Sequence, residues 1–398
     1  LTFKIMFKNN RNLLVIAVIA FVNALGYGII IPIMYSYSQK FGLSDFESGL
    51  LFALFSFCSF ISTPFIGRLS DKYGRKPLLM VSITGTAVSF FMAAFAPNSI
   101  FLFLARALDG ITAGNIPVAA AVISDTTEPK DRAKGFGIIG ASFGFGFVFG
   151  PAISALTLGF GDYVPFLIAG IISVGAVILT GTILPETNKH IGEVAKGRIF
   201  DMVKLVKALT DDKVGLTLLI SFLINFAFGM FIFAFQPFSV KVIGLEATQI
   251  SIIFTVFGVV GLITQALLVA RVTRKFGDKI TLRSSLFLSA IGFVGYVFTS
   301  DLYGLIFVST ILALANSFNA PLIQTILSKE TDSKSQGTIQ GLNAAYVSLG
   351  SVFGPVIAGV IATLAIPLPF IAGGMVMIIS CLLSFKVLKK GVGKESAF

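Results

Sequence analysis

The 398-residue chain is 55% hydrophobic and only 12% charged, with a mean hydropathy of +0.92. Soluble domains carry about 25% charged residues, and so apolar a chain would expose large greasy patches to water, so only a bilayer can solvate it. The net charge of +11 could suggest nucleic acid, but its placement in loops points to membrane topology instead. Cys58 and Cys381 both fall in apolar segments and read as packing residues. No disulfide or metal site is suggested, and the only histidine, His190, lies in a charged loop.

Apolar runs occur in order at 12–36, 48–67, 77–97, 99–123, 136–158, 163–184, 214–238, 248–270, 282–300, 302–327, 337–362 and 367–386. Each is long enough to cross a hydrocarbon core of about 30 Å as a helix. The first is too long and too apolar for a cleavable leader, so it reads as a spanning helix. Of the 30 Lys and Arg residues, 27 lie in the N-terminus, the loops after even-numbered runs, the C-terminus or the run ends that adjoin them. Only Lys40 and Lys241 lie in loops after odd-numbered runs, and Arg106 sits inside a run. Positive charge stays on the cytoplasmic side, so both termini are expected there. The expected fold is an all-α integral membrane protein of twelve transmembrane helices in two pseudo-symmetric six-helix bundles. The first bundle spans 1–184 and the second spans 214–398 with a short cytoplasmic tail. Residues 185–213 form a linker with an amphipathic helix, whose apolar face holds Ile199, Met202, Val203, Val206 and Leu209.

Internal repetition supports the two halves. Asn115-Ile116-Pro117 recurs as Asn319-Ala320-Pro321, and Phe149-Gly150-Pro151 as Phe353-Gly354-Pro355, both 204 residues later. Lys72-Tyr73-Gly74 recurs as Lys275-Phe276-Gly277, 203 residues later. Repeats in a transporter place the substrate site near the midplane where the halves meet.

The motifs sit at specific turns of this plan. The second and third runs are joined by Gly67-Arg68-Leu69-Ser70-Asp71-Lys72-Tyr73-Gly74-Arg75-Lys76-Pro77, which resembles the major facilitator superfamily signature G-x-x-x-D-[RK]-x-G-[RK]-[RK]. Gly67 is expected to let another helix approach closely. Asp71 is expected near the positive N-terminal end of the eleventh helix. In the second copy Arg274 stands where Asp71 would be. The fourth run reads Arg106-Ala107-Leu108-Asp109-Gly110-Ile111-Thr112-Ala113-Gly114 and looks like the family pattern R-x-x-x-G-x-x-x-G. The fifth carries Gly140, Gly144, Gly146, Gly150 and Pro151 and resembles the antiporter motif G-x-x-x-G-P-x-x-G, with Ser154 in place of its last glycine. Glycines there permit close packing and proline bends the helix. With Phe21–Gly28 and Ile29-Ile30-Ile31-Pro32 in the first run, the pattern is most similar to the tetracycline-efflux and drug:proton antiporter branch. The resemblance covers the N-terminal half well and the C-terminal half thinly. It implies that Asp71, Arg75 and Asp125 form a charge network latching a cytoplasmic gate.

Asp109 is the only acidic residue deep in a run, about ten residues in, or ~15 Å by helical rise. Arg106 lies one turn away. An ionisable group at that depth marks a functional site by default, so Asp109 with Arg106 is the expected proton-coupling site. The alternative is a structural ion pair. Relatives of this branch often carry an aspartate where this chain has Asn23, and an amide cannot titrate. Coupling therefore rests on Asp109 alone, or the protein is uncoupled, or Asn23 is an engineered change. Polar and aromatic residues on the runs that would line a cavity mark the expected substrate path: Asn23, Tyr27, Asn225, Phe228, Phe231, Gln236, Asn316 and Asn319, with Phe235 nearby.

The expected function is secondary active export of small hydrophobic or amphipathic compounds by alternating access. The proton gradient serves as energy source, and no cofactor, metal or nucleic acid takes part. The expected form is a multi-pass monomer of a prokaryotic plasma membrane. An uncoupled facilitator or uptake carrier is one alternative, and a non-transporting sensor is another. The membrane interior holds no His, no paired carboxylates and no nucleophile–base set, which argues against an enzyme. A G-x-x-x-x-G-K-[ST] loop is also missing, which argues against ATP as the driving force.

Overall fold

A computed structural model describes residues 11–127, 132–189, 191–192, 202–331 and 335–387. His190, Ile199 and the C-terminal tail lie outside these residues. All regular structure among the described residues is helical. This follows from the composition: in hydrocarbon each backbone N–H and C=O must be satisfied within its own segment.

The helices are α1 (Arg11–Gln39), α2 (Asp45–Tyr73), α3 (Arg75–Ala94), α4 (Ser99–Thr112), α5 (Asn115–Thr126), α6 (Arg132–Thr157), α7 (Val164–Ile183) and the short α8 (Met202–Leu209). Then follow α9 (Gly215–Phe238), α10 (Ala247–Ile263), α11 (Val269–Tyr296), α12 (Leu302–Glu330), α13 (Gln336–Ala362) and α14 (Leu368–Ser384). Ten helical stretches are long and apolar enough to cross a membrane. One of them, Ala247–Tyr296, breaks at Gly277, whose φ of 79° ends one helix and starts the next. Taking its two parts separately and adding the shorter apolar α14 gives twelve spans among the described residues. The fourth span, Ser99–Thr126, comprises α4 and α5.

Two compact units emerge from the packing. One comprises 1–42 and 57–200, the other 43–56 and 201–398. In the first unit α1 crosses α6, α3 packs on α7 and α4, and Ile66 of α2 lies against Gly114. In the second, α9 crosses α13, while α11 packs on α12 and α14. The opening turns of α2 belong here: Gly49 lies under the Pro355 carbonyl, and Asp45 pairs with Lys241 at 2.7 Å. Leu205 and Ala208 of α8 are buried, and the Leu205 carbonyl accepts from the Tyr346 hydroxyl. Val206 and Leu209 of α8 stay exposed.

The two central crossings repeat the same contact. A Cβ on Gly28 would meet the Gly146 carbonyl and Pro151 at 3.1 Å and the Gly150 Cα at 3.3 Å. A Cβ on Gly229 would meet Pro355 at 3.0 Å and the Gly350 carbonyl and Gly354 Cα at 3.3 Å. Backbones this close exclude any side chain on the facing surfaces. Of the antiporter-motif residues, Gly146, Gly150 and Pro151 form the α1–α6 contact, whereas Gly140 faces open space. Ser154, in place of the motif's last glycine, donates its hydroxyl to the Ile29 carbonyl at 3.3 Å. Gly67 departs from expectation, because a Cβ there would meet nothing within 4 Å. The close approach of α2 is made one residue earlier, by Ile66 against Gly114.

Two substitutions separate crossing glycines from idle ones. In Gly150→Ala the new methyl would lie 2.7 Å from the Leu25 carbonyl oxygen. Overpacking of this kind costs about 1–3 kcal/mol, so the melting temperature of the purified protein should fall. Gly140→Ala meets no neighbour and removes the flexibility of a mid-helix glycine, so it should be neutral or stabilising by up to about 1 kcal/mol. Equal melting temperatures for the two variants would show that the crossing is not tight.

Candidate functional site

In the first unit the polar residues of α1, α4 and α5 converge. Arg106 and Asp109 share one face of α4 at i, i+3, with Nη1 3.0 Å from Oδ2, and are 3% and 8% exposed. A buried pair holds two charges out of water at high cost, repaid by close geometry and further hydrogen bonds. The hydroxyl-bearing residues Thr86 and Ser89 of α3 flank the Asp109 carboxyl, and Tyr27 lies close to Arg106. One turn after Asp109 the helix breaks. Pro117 lacks an N–H and its ring opposes the carbonyl four residues back, so α4 ends at Thr112 and α5 starts at Asn115. The equivalent Pro321 sits inside the unbroken α12.

Asn23 donates its amide to Oδ1 of Asn115 at 2.8 Å, which ties α1 to the start of α5. Tyr27, one turn on, meets the Phe147 ring edge-on with centroids 5.8 Å apart. Asn23, Tyr27, Arg106, Asp109 and Asn115 thus lie around one break in one helix. Asn115 was seen in the sequence only as a repeat marker, and its bond to Asn23 bridges helices distant in the chain.

The second unit revises the expected cavity lining. Phe231 is buried among Phe228, Phe235, Phe254, Phe257, Phe293 and Tyr296, with centroids 5.5–6.2 Å away. Phe231 and Phe235 therefore form an aromatic core and do not line open space. Only Phe228 of the three is partly exposed. Gln236 is fully buried, and Asn225 donates to the Ser221 carbonyl of its own helix at 2.8 Å. Asn319 is buried too. It accepts from the Ser285 hydroxyl at 2.8 Å and donates to Asn316 at 3.2 Å. Asn319 is thus spent on packing within the unit, because an amide in an apolar bundle takes the nearest partner.

The loop residues Asp71, Arg75 and Asp125 come together. The Arg75 guanidinium lies 2.6 Å from Asp71 and 3.1 Å from Asp125, and donates to the Ser70 hydroxyl at 2.7 Å. Sequence reasoning missed a fourth member, Glu186. Its carboxylate accepts from the backbone N–H groups of Arg75 at 2.9 Å and Lys76 at 3.1 Å, so it caps the positive N-terminus of α3. Gly74, with φ of 103°, turns the chain there, and the carboxylate fills the space a Cβ would need. The cap comes from 111 positions away, so no local spacing rule finds it. The Asp71 carbonyl accepts from the Asn188 amide at 3.0 Å and from Gly192 N–H at 3.2 Å.

Two measurements follow from this geometry. Glu186→Ala leaves two helix-terminal donors without their acceptor and should cost about 0.5–2 kcal/mol, as loss of a cap does, read as a lower melting temperature. Asp109→Leu strands the buried Arg106 charge and should cost about 3–5 kcal/mol. The double variant Arg106→Met, Asp109→Leu should recover most of that loss. A double variant no more stable than the single would show that the pair is not coupled.

The geometry can be set beside known proteins. A sequence model of the Major Facilitator Superfamily matches residues 16–246 and 217–397. "Multidrug resistance protein 2" of Bacillus subtilis is 30% identical over 366 residues, covering 90% of each chain. "Tetracycline resistance protein, class C" of Escherichia coli is 30% identical over 359 residues, covering 88% of this chain and 89% of its own. Among solved structures, a peptide transporter (POT) superposes with a TM-score of 0.79 at 12% identity over 95% of this chain and 94% of its own, which speaks for the fold alone. With twelve spans, repeated halves and an intact signature loop, the chain is a multi-pass membrane transporter and not an enzyme, and it belongs to the Major Facilitator Superfamily.

Proposed function

We propose that the chain exports small hydrophobic or amphipathic, drug-like compounds across a bacterial cytoplasmic membrane by alternating access, in exchange for protons. The observation that carries this reading is the carboxyl of Asp109, buried beside Arg106 one turn before the helix break. The names of the relatives, multidrug and tetracycline resistance proteins, support the cargo class and the direction. The basic loops, all following even-numbered spans, support an orientation with both termini in the cytoplasm. Two complete bundles in one chain support a monomer.

In this scheme the proton moves on and off a carboxylate oxygen of Asp109. Protonation removes the negative half of the pair and leaves Arg106 facing Tyr27. Deprotonation restores the pair and its 3.0 Å contact. The charge state of one side chain thereby acts on the groups around it, Thr86 and Ser89 of α3 and Tyr27 of α1, beside the break before α5. At the end of the unit that carries the basic loops, Asp71, Arg75, Asp125 and Glu186 tie α2, α3, α5 and the segment after α7 together. We assign this network the role of cytoplasmic gate element. Asp71→Asn removes one carboxylate from the guanidinium and should shift the distribution of spin-label distances across that end. Unchanged distances with unchanged transport would leave it a solvated turn.

Transport in proteoliposomes with an imposed pH gradient tests the coupling. Asp109→Asn should abolish gradient-driven accumulation yet leave downhill exchange measurable. Accumulation at the parent's level in that variant would make the pair purely structural. One observation favours the uncoupled reading instead: Asn23 is engaged as a neutral amide with Asn115. Asn23→Asp discriminates. Under the antiport reading the parent already responds to pH and the variant responds more steeply. A parent indifferent to pH beside a responsive variant would favour the facilitator.

A further inference from the structure

Three charges of the gate network in the first unit, Asp71, Arg75 and Asp125, have counterparts of opposite sign in the second. Asp71 corresponds to Arg274, Arg75 to Asp278, and Asp125, through the repeat of the fourth and tenth spans, to Lys329. The backbone frame is kept. Gly74 and Gly277 both have positive φ, 103° and 79°. Lys72 stacks on Tyr73 and Lys275 on Phe276, at 5.0 and 5.3 Å from the ring centroids. The ion pair is kept too: Arg75–Asp125 in one unit, Asp278–Lys329 in the other.

The third member behaves differently. Asp71 binds Arg75 at 2.6 Å, whereas Arg274 makes no ion pair or hydrogen bond among the described residues. It lines a cavity of about 510 Å³ at the junction of the Thr264–Leu268 turn, α11 and α12, together with Gln265, Thr273, Asp278 and Thr325. The hydroxyl of Thr273 is buried with no hydrogen-bond partner and is closed to solvent, so it does not open onto this cavity. Gln265 sits within the π turn Thr264–Leu268. Such turns insert an extra residue into a helix and re-aim its side chains, often at functional sites. Asp278 is neutralised by Lys329, so the unpaired charge at the mouth of the cavity is the solvent-exposed Arg274 guanidinium. The remaining wall, which includes Val269 and Leu322, is apolar.

We infer that this cavity binds an oxyanion, a carboxylate or phosphate carried on an apolar body, with Arg274 as its forked donor. Guanidinium is suited to such groups because two parallel N–H donors match two oxygens. The reversal of charge explains why this arm of the repeated loop is open while its twin is closed: the first unit supplies its own carboxylate, and the second takes one from a ligand. The site lies within the second unit, apart from Asp109, and does not depend on the export reading. The same chemistry is offered by a soluble amphipathic acid and by the headgroup of an anionic phospholipid.

The test is calorimetric titration of the full chain, in phosphatidylcholine nanodiscs, with 1-naphthoate and with its uncharged isostere 1-naphthamide. The acid should bind about tenfold more tightly than the amide, as expected for a charge-assisted hydrogen-bonded contact. Arg274→Gln should remove that preference. Should Arg274→Gln not fold, Arg274→Lys serves in its place and should lose part of the preference, because it keeps the charge but not the fork. Adding phosphatidylglycerol to the nanodisc separates the sources. Competition with 1-naphthoate identifies lipid phosphate as the resident anion, and indifference identifies a soluble acid; either result supports the site. Equal affinity for acid and amide in the parent would overturn it, and so would a preference undiminished in the Arg274 variant.

Discussion

The architecture depends on two places where backbone meets backbone without side chains between. Gly28 meets Gly146 and Gly150 in one unit, and Gly229 meets Gly350 and Gly354 in the other, each beside a proline of the partner helix. Inside a bilayer the hydrophobic effect does not press helices together, because lipid tails are as apolar as leucine. Close van der Waals approach must do that work, and only glycine allows it at these distances. Once α1 is fixed on α6, the residues one or two turns along α1 have set positions. Asn23 reaches Asn115, and Tyr27 lies near Arg106. The Arg106–Asp109 pair thus lies beside a crossing whose closest contacts are glycine backbone, with one hydroxyl bond from Ser154 to the Ile29 carbonyl.

The buried ion pair is the costly element within this frame. Arg106 and Asp109 are almost fully enclosed, where an unpaired charge would be expensive. Their spacing on one helix face makes the pairing local and independent of any other helix. Around the pair stand the hydroxyl-bearing residues Thr86 and Ser89 of α3, the Tyr27 phenol of α1 and a break in the helix itself one turn away. A rigid helix would confine the effect of charging Asp109 to its own side chain. A helix that ends at Thr112 and restarts at Asn115 can pivot there.

Much of this was legible in the sequence, for identifiable reasons. The spans were visible because lipid demands about twenty apolar residues each, and the repeats Asn-x-Pro and Phe-Gly-Pro marked the two halves. Asp109 stood out because a carboxyl in an apolar run has no ordinary explanation. The faces of the helices were not legible. In a soluble helix the polar side identifies the buried side, but Phe228, Phe231 and Phe235 look alike in a helix that is apolar all round, and only packing shows that two of them are core. Glu186 and the Asn23–Asn115 bond were hidden for a different reason: both join positions about a hundred residues apart. The reversed charges at Asp278 and Lys329 could have been read from the repeat offsets once Arg274 was noticed.

The central claim is that Asp109 exchanges a proton in step with cargo. Proton release on ligand binding measures it most directly. Ethidium, a flat amphipathic cation with no group that titrates near neutral pH, is added to purified protein in weakly buffered solution and the pH change is followed. The account predicts release of protons that saturates with ethidium binding and is lost in Asp109→Asn although ethidium still binds. Saturable binding without proton release in the parent, or release undiminished in Asp109→Asn, would contradict it.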